Sequence, residues 1–137
     1  MNFSKYINLL YKNLGRDFNG VDCFGLLYLI FREERNIVLP DYTELKYSKE
    51  WYKHQENHII NNINDSWIRV SKPYKTYDAI IFYNFGRVSS FIANHIGMYI
   101  GDNKFIHIME NTTSRVNNLD SYWVSKLYGT IRYKEVS

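Results

Sequence analysis

Three side chains in this 137-residue chain have the types and spacing for nucleophilic chemistry: Cys23, His95 and His107. Cys23 is the only cysteine, and the two histidines are among four. A thiol can pass its proton to an imidazole and attack a carbonyl carbon, and a further polar group that holds the imidazole completes such a set. Cys23 lies in the run Gly20-Val21-Asp22-Cys23-Phe24-Gly25-Leu26. Gly20 and Asp22 mark the start of a helix, so Cys23 falls in its first turn. Unpaired N–H groups and the positive end of the helix dipole favour a negative charge there. That position is expected to drive the thiol toward thiolate and to offer the Cys23 backbone N–H to a developing oxyanion. Asp22 is expected to cap or brace the helix rather than take a proton. A lone cysteine is more often a small core hydrophobe, and a lone strand histidine is more often structural. Their combination in one chain is what points to chemistry.

The elements that must carry these groups follow from periodicity. Leu26, Leu27, Ile30 and Phe31 come three, four, seven and eight residues after Cys23. That spacing puts the sulfur and four apolar side chains on one face of a helix over about 22–35. Leu39-Pro40 blocks further helix. Upstream, Phe3, Tyr6, Ile7, Leu10 and Leu14 predict an amphipathic helix over residues 2–14, ended by Gly15. Ser48-Lys49-Glu50 predicts the cap of a helix running to about 64, with Asn64-Asp65-Ser66 as a turn and Trp67–Val70 as a short strand. From residue 78 the period becomes two. Strands are expected at Ala79–Phe85, His95–Ile100 and Lys104–Met109, near 114–118, and at Leu127–Lys134, with a loop at Gly86–Ser90 and a short helical turn from Asp120 to Trp123. Helices first and an antiparallel sheet after them make an α+β fold, with residues 1–137 as a single domain.

Register decides whether the two histidines meet. With a three-residue loop, Gly101-Asp102-Asn103, Ile100 pairs with Lys104 and Gly97 with His107. His95 and His107 are then diagonal neighbours on one face, roughly 7–8 Å apart at Cα. A two-residue loop, Asp102-Asn103, reverses the parity and separates them to opposite faces. The proposed chemistry needs the first. Gly97 between them is expected to leave open space above the strand for a ring or a substrate.

Composition excludes several classes. Seventeen basic and fourteen acidic residues give a net charge of +3. That balance does not argue for nucleic acid, and it does not hinder approach to an anionic polymer such as a cell wall. One cysteine excludes an internal disulfide and a Cys-rich zinc site. His54 and His58 are four apart, a spacing that can bind metal. No acidic or cysteine partner is suitably placed in sequence, so neither a metal nor an organic cofactor is expected. Met1 to Leu14 alternates apolar with polar residues and lacks the apolar core of a signal peptide. No stretch is long enough to span a membrane. The chain is expected to be made as a soluble protein.

Four motifs in order carry a resemblance. Asp22-Cys23-Phe24-Gly25-Leu26 resembles the D-C-x-G-L motif of the NlpC-type cysteine peptidases, papain-like enzymes that cut peptidoglycan stem peptides. Leu39-Pro40 follows at the family's distance. Tyr77-Asp78-Ala79-Ile80-Ile81-Phe82 is similar to its G-D-L-V-x-F strand, and His95 to Asp102 to its H-V-G-I-Y-L-G-D hairpin. Phe105-Ile106-His107 falls where the family places its third polar residue. Tyr122-Trp123 and Gly129-Thr130-Ile131-Arg132 fit its tail, so the match covers about residues 15–134. The compact loop from Gly15-Arg16 to Asp22-Cys23, and Arg32-Glu33-Glu34 before Leu39-Pro40, are closest to phage tail-associated members.

The resemblance implies a papain-like fold and a cysteine endopeptidase. Cys23 is then the nucleophile, His95 the base, and His107 the residue that orients His95 and favours its charged form. It implies a peptidoglycan stem peptide as substrate, other phage tail proteins as partners and a place in the virion tail, after synthesis in the host cytoplasm. The loop 86–94 and the segment 41–76 are expected to flank the cleft. A structural tail-tip or tail-assembly protein of the same fold, and a related amidase or transpeptidase, remain open. Three departures stand out. Phe24 replaces the serine that usually follows the cysteine in cell-wall members, and Tyr77 replaces the glycine before the strand aspartate. The family's upstream tyrosine aligns nearest to Phe18, which has no hydroxyl; Tyr11 requires a different loop path.

Overall fold

The computed structural model describes residues 2–39, 67–83 and 93–134. The expected helix ending near 64, His54 and His58, the turn at Asn64–Ser66 and the loop at 86–90 lie outside the described residues. A short ribbon, β1 (Arg16–Asp17) against β2 (Gly20–Val21), leads directly into α1 (Cys23–Arg35). The remaining strands are β3 (Trp67–Val70), β4 (Ala79–Tyr83), β5 (Ala93–Gly101), β6 (Lys104–His107), β7 (Arg115–Asn118) and β8 (Leu127–Tyr133). They form one antiparallel sheet in the order β3-β8-β4-β5-β6-β7. The single turn of helix α2 (Ser121–Val124) comes before β8. The layout is the expected α+β one, a helix packed on an antiparallel sheet.

α1 forms because its start and its apolar face are both specified. The Asp22 side chain accepts the Gly25 N–H at 2.7 Å, which satisfies one of the orphan donors of the first turn. Leu26, Leu27, Ile30 and Phe31 are buried, with Leu29 beside them. They pack on Ala79, Ile81, Ile96, Met98 and Ile106 of the sheet. Asn36 ends the helix in the left-handed conformation, φ 55°.

The predicted helix over residues 2–14 is not formed. Only Ser4–Tyr6 makes a single 3₁₀ turn, and Asn8 and Leu14 have φ of 66° and 61°. The segment finds its backbone partners elsewhere. Asn8 N–H donates to the Ser114 carbonyl, Tyr11 N–H to Thr112 and Lys12 N–H to Val21. Leu9 N–H donates to Ser114 Oγ. An isolated helix of this length is marginal, and pairing with two distant segments replaces its internal bonds.

The hairpin between β5 and β6 corrects the expected register in one respect. The turn has two residues, Asp102 and Asn103, both with positive φ (53° and 59°), and Gly101 pairs with Lys104. A bulge between Tyr99 and Gly101 then takes up one residue, so Tyr99 faces Phe105 and Met98 faces Ile106. Ile100 therefore does not pair with Lys104. The two-residue turn reverses the parity and the bulge restores it, which keeps His95 and His107 on one face.

Gly25 and Tyr77 show what the backbone requires. A Cβ at Gly25 would lie 1.9 Å from the Gly15 carbonyl oxygen and 2.8 Å from an Arg16 nitrogen, so only glycine lets the preceding loop close onto α1. Tyr77 has φ 79°, a conformation that favours the glycine it replaces. It is held by a 3.0 Å bond from its N–H to the Tyr99 carbonyl and by ring contacts with Phe3 and Phe31. Replacing Gly25 with alanine is expected to lower stability by about 1–3 kcal/mol, the usual cost of overpacking. A urea unfolding midpoint below that of the wild type, at unchanged slope, is the result that checks it.

Candidate active site

Cys23 opens α1 and is intermediate in exposure as a whole residue, with its thiol turned away from water. The backbone N–H groups of Ile96 and Phe24 interact with the sulfur. Ile96 directly follows His95, so the thiol meets β5 at the peptide that carries that histidine. Ile96 and Met98 point into the core beneath α1. His95 and His107 alternate with them, on the face shared by Phe82 and Phe105. A bulge between Phe82 and Tyr83 twists the ladder beside His95, the kind of irregularity that re-aims a side chain next to a site.

The two imidazoles are joined. His95 Nε2 lies 2.9 Å from His107 Nδ1, and His107 Nε2 lies 2.7 Å from Asn117 Oδ1. The chain of bonds has one direction when the Asn117 carbonyl oxygen accepts. His107 then carries its proton on Nε2, its Nδ1 accepts, and His95 donates from Nε2. That leaves His95 Nδ1 unprotonated and basic. Asn117 sits on β7, paired with Phe105. It was not among the candidates read from the sequence, because a polar residue in a short edge strand carries no chemical signal of its own.

An aromatic wall encloses the pair. The rings of Phe105 and Trp123 lie 4.6 Å and 4.9 Å from the His107 ring, and Phe82 lies 5.8 Å from His95. Trp123 is placed by α2, whose first turn is capped by Asp120. Gly97 gives room for this packing. A Cβ there would press within 3.0–3.2 Å of Phe105, the Ile106 carbonyl and His107. The space expected above Gly97 is thus filled by the site's own ring and histidine.

Burial sets the resting protonation state. His95 and His107 are 4% and 1% exposed. Burial, then the neighbouring His107, pushes the His95 pKa well below its usual 6.5. Burial brings His107 down to about 4, against an upward pull from Asn117. Burial also pushes the Cys23 thiol up to about 12, with the Asp22 carboxylate adding to the rise. The Ile96 and Phe24 N–H groups and Arg16 pull the other way. These directions are opposite to the expected pre-formed thiolate and charged imidazole. The helix start does stabilise the anion, but it is outweighed by loss of water and by an adjacent carboxylate.

The Asp22 carboxylate accepts from Gly25 N–H, from Leu14 N–H at 2.9 Å and from Arg16 at 2.9 Å. Of the two upstream aromatic residues, Phe18 is 41% exposed at the β1–β2 turn and stacks on Tyr6. Tyr11 instead bridges to Val21, two residues before Cys23. Among the described residues no cluster of three histidine, cysteine, aspartate or glutamate side chains is arranged to hold a metal, and no helix is long and apolar enough to cross a membrane.

Comparison with known proteins places this arrangement. The NlpC/P60 family model matches residues 9–132. A probable endopeptidase NlpC homologue of Haemophilus influenzae is 25% identical over 122 residues, covering 88% of this chain and 54% of the relative. The murein DD-endopeptidase MepS/murein LD-carboxypeptidase of Escherichia coli K12 is 25% identical over 130 residues, covering 95% and 58%. The chain spans little more than half the length of these relatives. Two solved structures share the fold. An NLP/P60-family lipoprotein-like protein of Staphylococcus aureus has a TM-score of 0.63 at 21% identity, covering 96% of this chain and 39% of that one. The NlpC/p60 domain of the peptidoglycan hydrolase SagA has a TM-score of 0.58 at 16% identity, covering 94% and 91%.

Two outcomes follow from the buried pair. Both folded imidazoles hold protons less tightly than the unfolded chain, whose histidines titrate near 6.5. The unfolded state therefore binds more protons below that pH, and stability falls as pH drops from about 6.5 to 4. His107 alone is expected to account for up to about 3 kcal/mol of this loss. Chemical denaturation across that range will show a shallower decline in His107→Gln. Second, Asn117→Asp is expected to raise the His107 pKa by at least about 1 unit, since a carboxylate favours the imidazolium. Ring-proton NMR titration reads it directly.

Proposed function

Since this chain belongs to the NlpC/P60 family, we propose that it is a cysteine endopeptidase that hydrolyses amide bonds in peptidoglycan stem peptides. The observation that carries the reading is the hydrogen-bonded series His95–His107–Asn117, with the Cys23 sulfur interacting with the backbone N–H of Ile96, the residue next to His95. The names of its relatives, murein and NlpC endopeptidases, support the substrate.

The resting site is neutral, which shapes the mechanism. The Cys23 thiol passes its proton to His95 Nδ1 as sulfur bonds to the amide carbonyl carbon. The positive charge on His95 is stabilised through its Nε2–H bond to His107. The oxyanion is taken by the Cys23 backbone N–H. Gly25 N–H is engaged by the Asp22 carboxylate and Leu26 N–H by the Asp22 carbonyl. Phe24 N–H points at the sulfur. Cys23 N–H has no partner among the described residues, and such a donor is typically worth about 10²–10³ in rate. His95 then returns the proton to the leaving amine as the C–N bond breaks. Water, deprotonated by His95, attacks the thioester and restores the thiol.

The proposal extends to place: a phage tail, with other tail proteins as partners. Its support is the resemblance of the Gly15-Arg16 loop and of Arg32-Glu33-Glu34 to tail-associated members. The burial of both imidazoles favours a second reading, a tail component that keeps the fold with little catalysis. Purified muropeptides separate the two. Wild type is expected to release a free carboxylate and a free amine by mass spectrometry, and Cys23→Ala to lower that rate by at least about 10³-fold. Equal product from both proteins removes Cys23 as nucleophile. Absence of cleavage by wild type selects the structural reading, and an amine adduct selects acyl transfer.

A further inference from the structure

We infer that Arg16 is a positioning residue of this site: its guanidinium neutralises the Asp22 carboxylate, so that α1 keeps an anionic cap without that charge opposing the nucleophile beside it. The inference rests on Cys23 being the nucleophile of the reading above.

The geometry is built rather than incidental. Arg16 lies on β1, opposite Val21 of β2, one residue before Asp22 in the chain. Its side chain is only 11% exposed. One guanidinium nitrogen lies 2.9 Å from Asp22 Oδ1 and donates to the Gly15 carbonyl, also at 2.9 Å. The guanidinium centre lies 5.6 Å from the Phe24 ring and 6.0 Å from the Tyr28 ring. Arg32 on α1 reaches back to the Arg16 carbonyl at 3.4 Å. Gly25 leaves the space, since a Cβ there would stand 2.8 Å from the Arg16 nitrogen. The cation is thus held from several sides, with the Asp22 carboxylate as an ion-pair partner.

That carboxylate is the neighbour of Cys23 in the chain. A carboxylate at a helix start is a good cap, but next to a thiol it opposes the anion that must develop during attack. The charges that act on the sulfur are those of Asp22 and Arg16, and the backbone N–H groups of Phe24 and of Ile96, the residue after His95 on β5, interact with it. Asp22 acts against the thiolate and Arg16 for it. Removing Arg16 leaves Asp22 uncompensated. Removing both charges restores the balance, and asparagine caps a helix as well as aspartate does.

The test is the rate of Cys23 alkylation by iodoacetamide between pH 7 and 10, on the full chain, with folding checked by circular dichroism. Arg16→Met is expected to slow alkylation at fixed pH by about tenfold, the lower end of what loss of a neighbouring opposite charge does to an ionisable group. Arg16→Met combined with Asp22→Asn is expected to return to within about threefold of wild type. A purely structural arginine would lower the melting temperature and leave the rate–pH line unmoved, and that result overturns the inference. A double variant slower than Arg16→Met also overturns it. If Arg16→Met does not fold, Arg16→Lys decides. A rate within about threefold of wild type supports a role for charge, and a tenfold loss rejects it. Alkylation needs no peptidoglycan, so the two proposals fail separately. A wild type that cleaves no muropeptide but shows these shifts keeps the Arg16 role and loses the hydrolase. Cleavage with an unmoved alkylation profile does the reverse.

Discussion

The arrangement depends on one buried carboxylate. Asp22 receives the Gly25 N–H of its own helix, the Leu14 N–H of the loop before it and the Arg16 guanidinium of β1. These three donors come from separate stretches, and they converge only if the loop from Leu14 to Gly20 folds back over the first turn of α1. That closure fixes where the helix begins, and so where Cys23 points. Gly25 is the other half of the same constraint, because the Gly15 carbonyl occupies the volume its side chain would need. The aspartate and glycine on either side of Cys23-Phe24 serve one contact between loop and helix.

A second, largely separate core places the imidazoles. Ile80, Phe82, Phe105, Leu119 and Trp123 pack together on the sheet face away from α1. Within that wall two histidines can be buried only if their polar nitrogens are satisfied. The His95–His107–Asn117 series meets that requirement, with the same bonds that set which nitrogen of His95 is unprotonated. Structural need and chemical role therefore coincide. A site so dry resists charge at rest, as the depressed imidazoles and raised thiol reflect.

Much of this was legible in the chain. α1 could be read from the spacing after Cys23 and from the Asp22 cap, and the later strands from their period of two. These signals are local: an apolar face, a turn, a cap. What failed was decided by distant partners. The first fourteen residues have a helical pattern, yet Ser114 binds Tyr6 and Leu9 and draws the segment out of that helix. The β5–β6 turn stayed open between two and three residues, because the left-handed Asp102-Asn103 pair and the bulge at Ile100 offset each other. Asn117 was invisible because its role exists only once β6 and β7 are paired. The direction of the thiol's proton affinity was misread for a similar reason. The helix start was visible in sequence, whereas the burial that outweighs it was not.

Replacement of the motif's usual serine by Phe24 has a physical partner in this fold. A serine would present a small hydroxyl beside the nucleophile. Phe24 instead presents a ring within reach of the Arg16 guanidinium, and Tyr28, one turn further along α1, presents another. Arginine stacks well on aromatic faces because it is weakly hydrated and planar. The ring thus helps hold the cation in a position where it has surrendered most of its water. An Arg16–Phe24 pairing ties the identity of the residue after the cysteine to that of the residue six before Asp22. The chain departs from the family pattern at Phe24, then, where Arg16 of the preceding loop gives the ring something to bind.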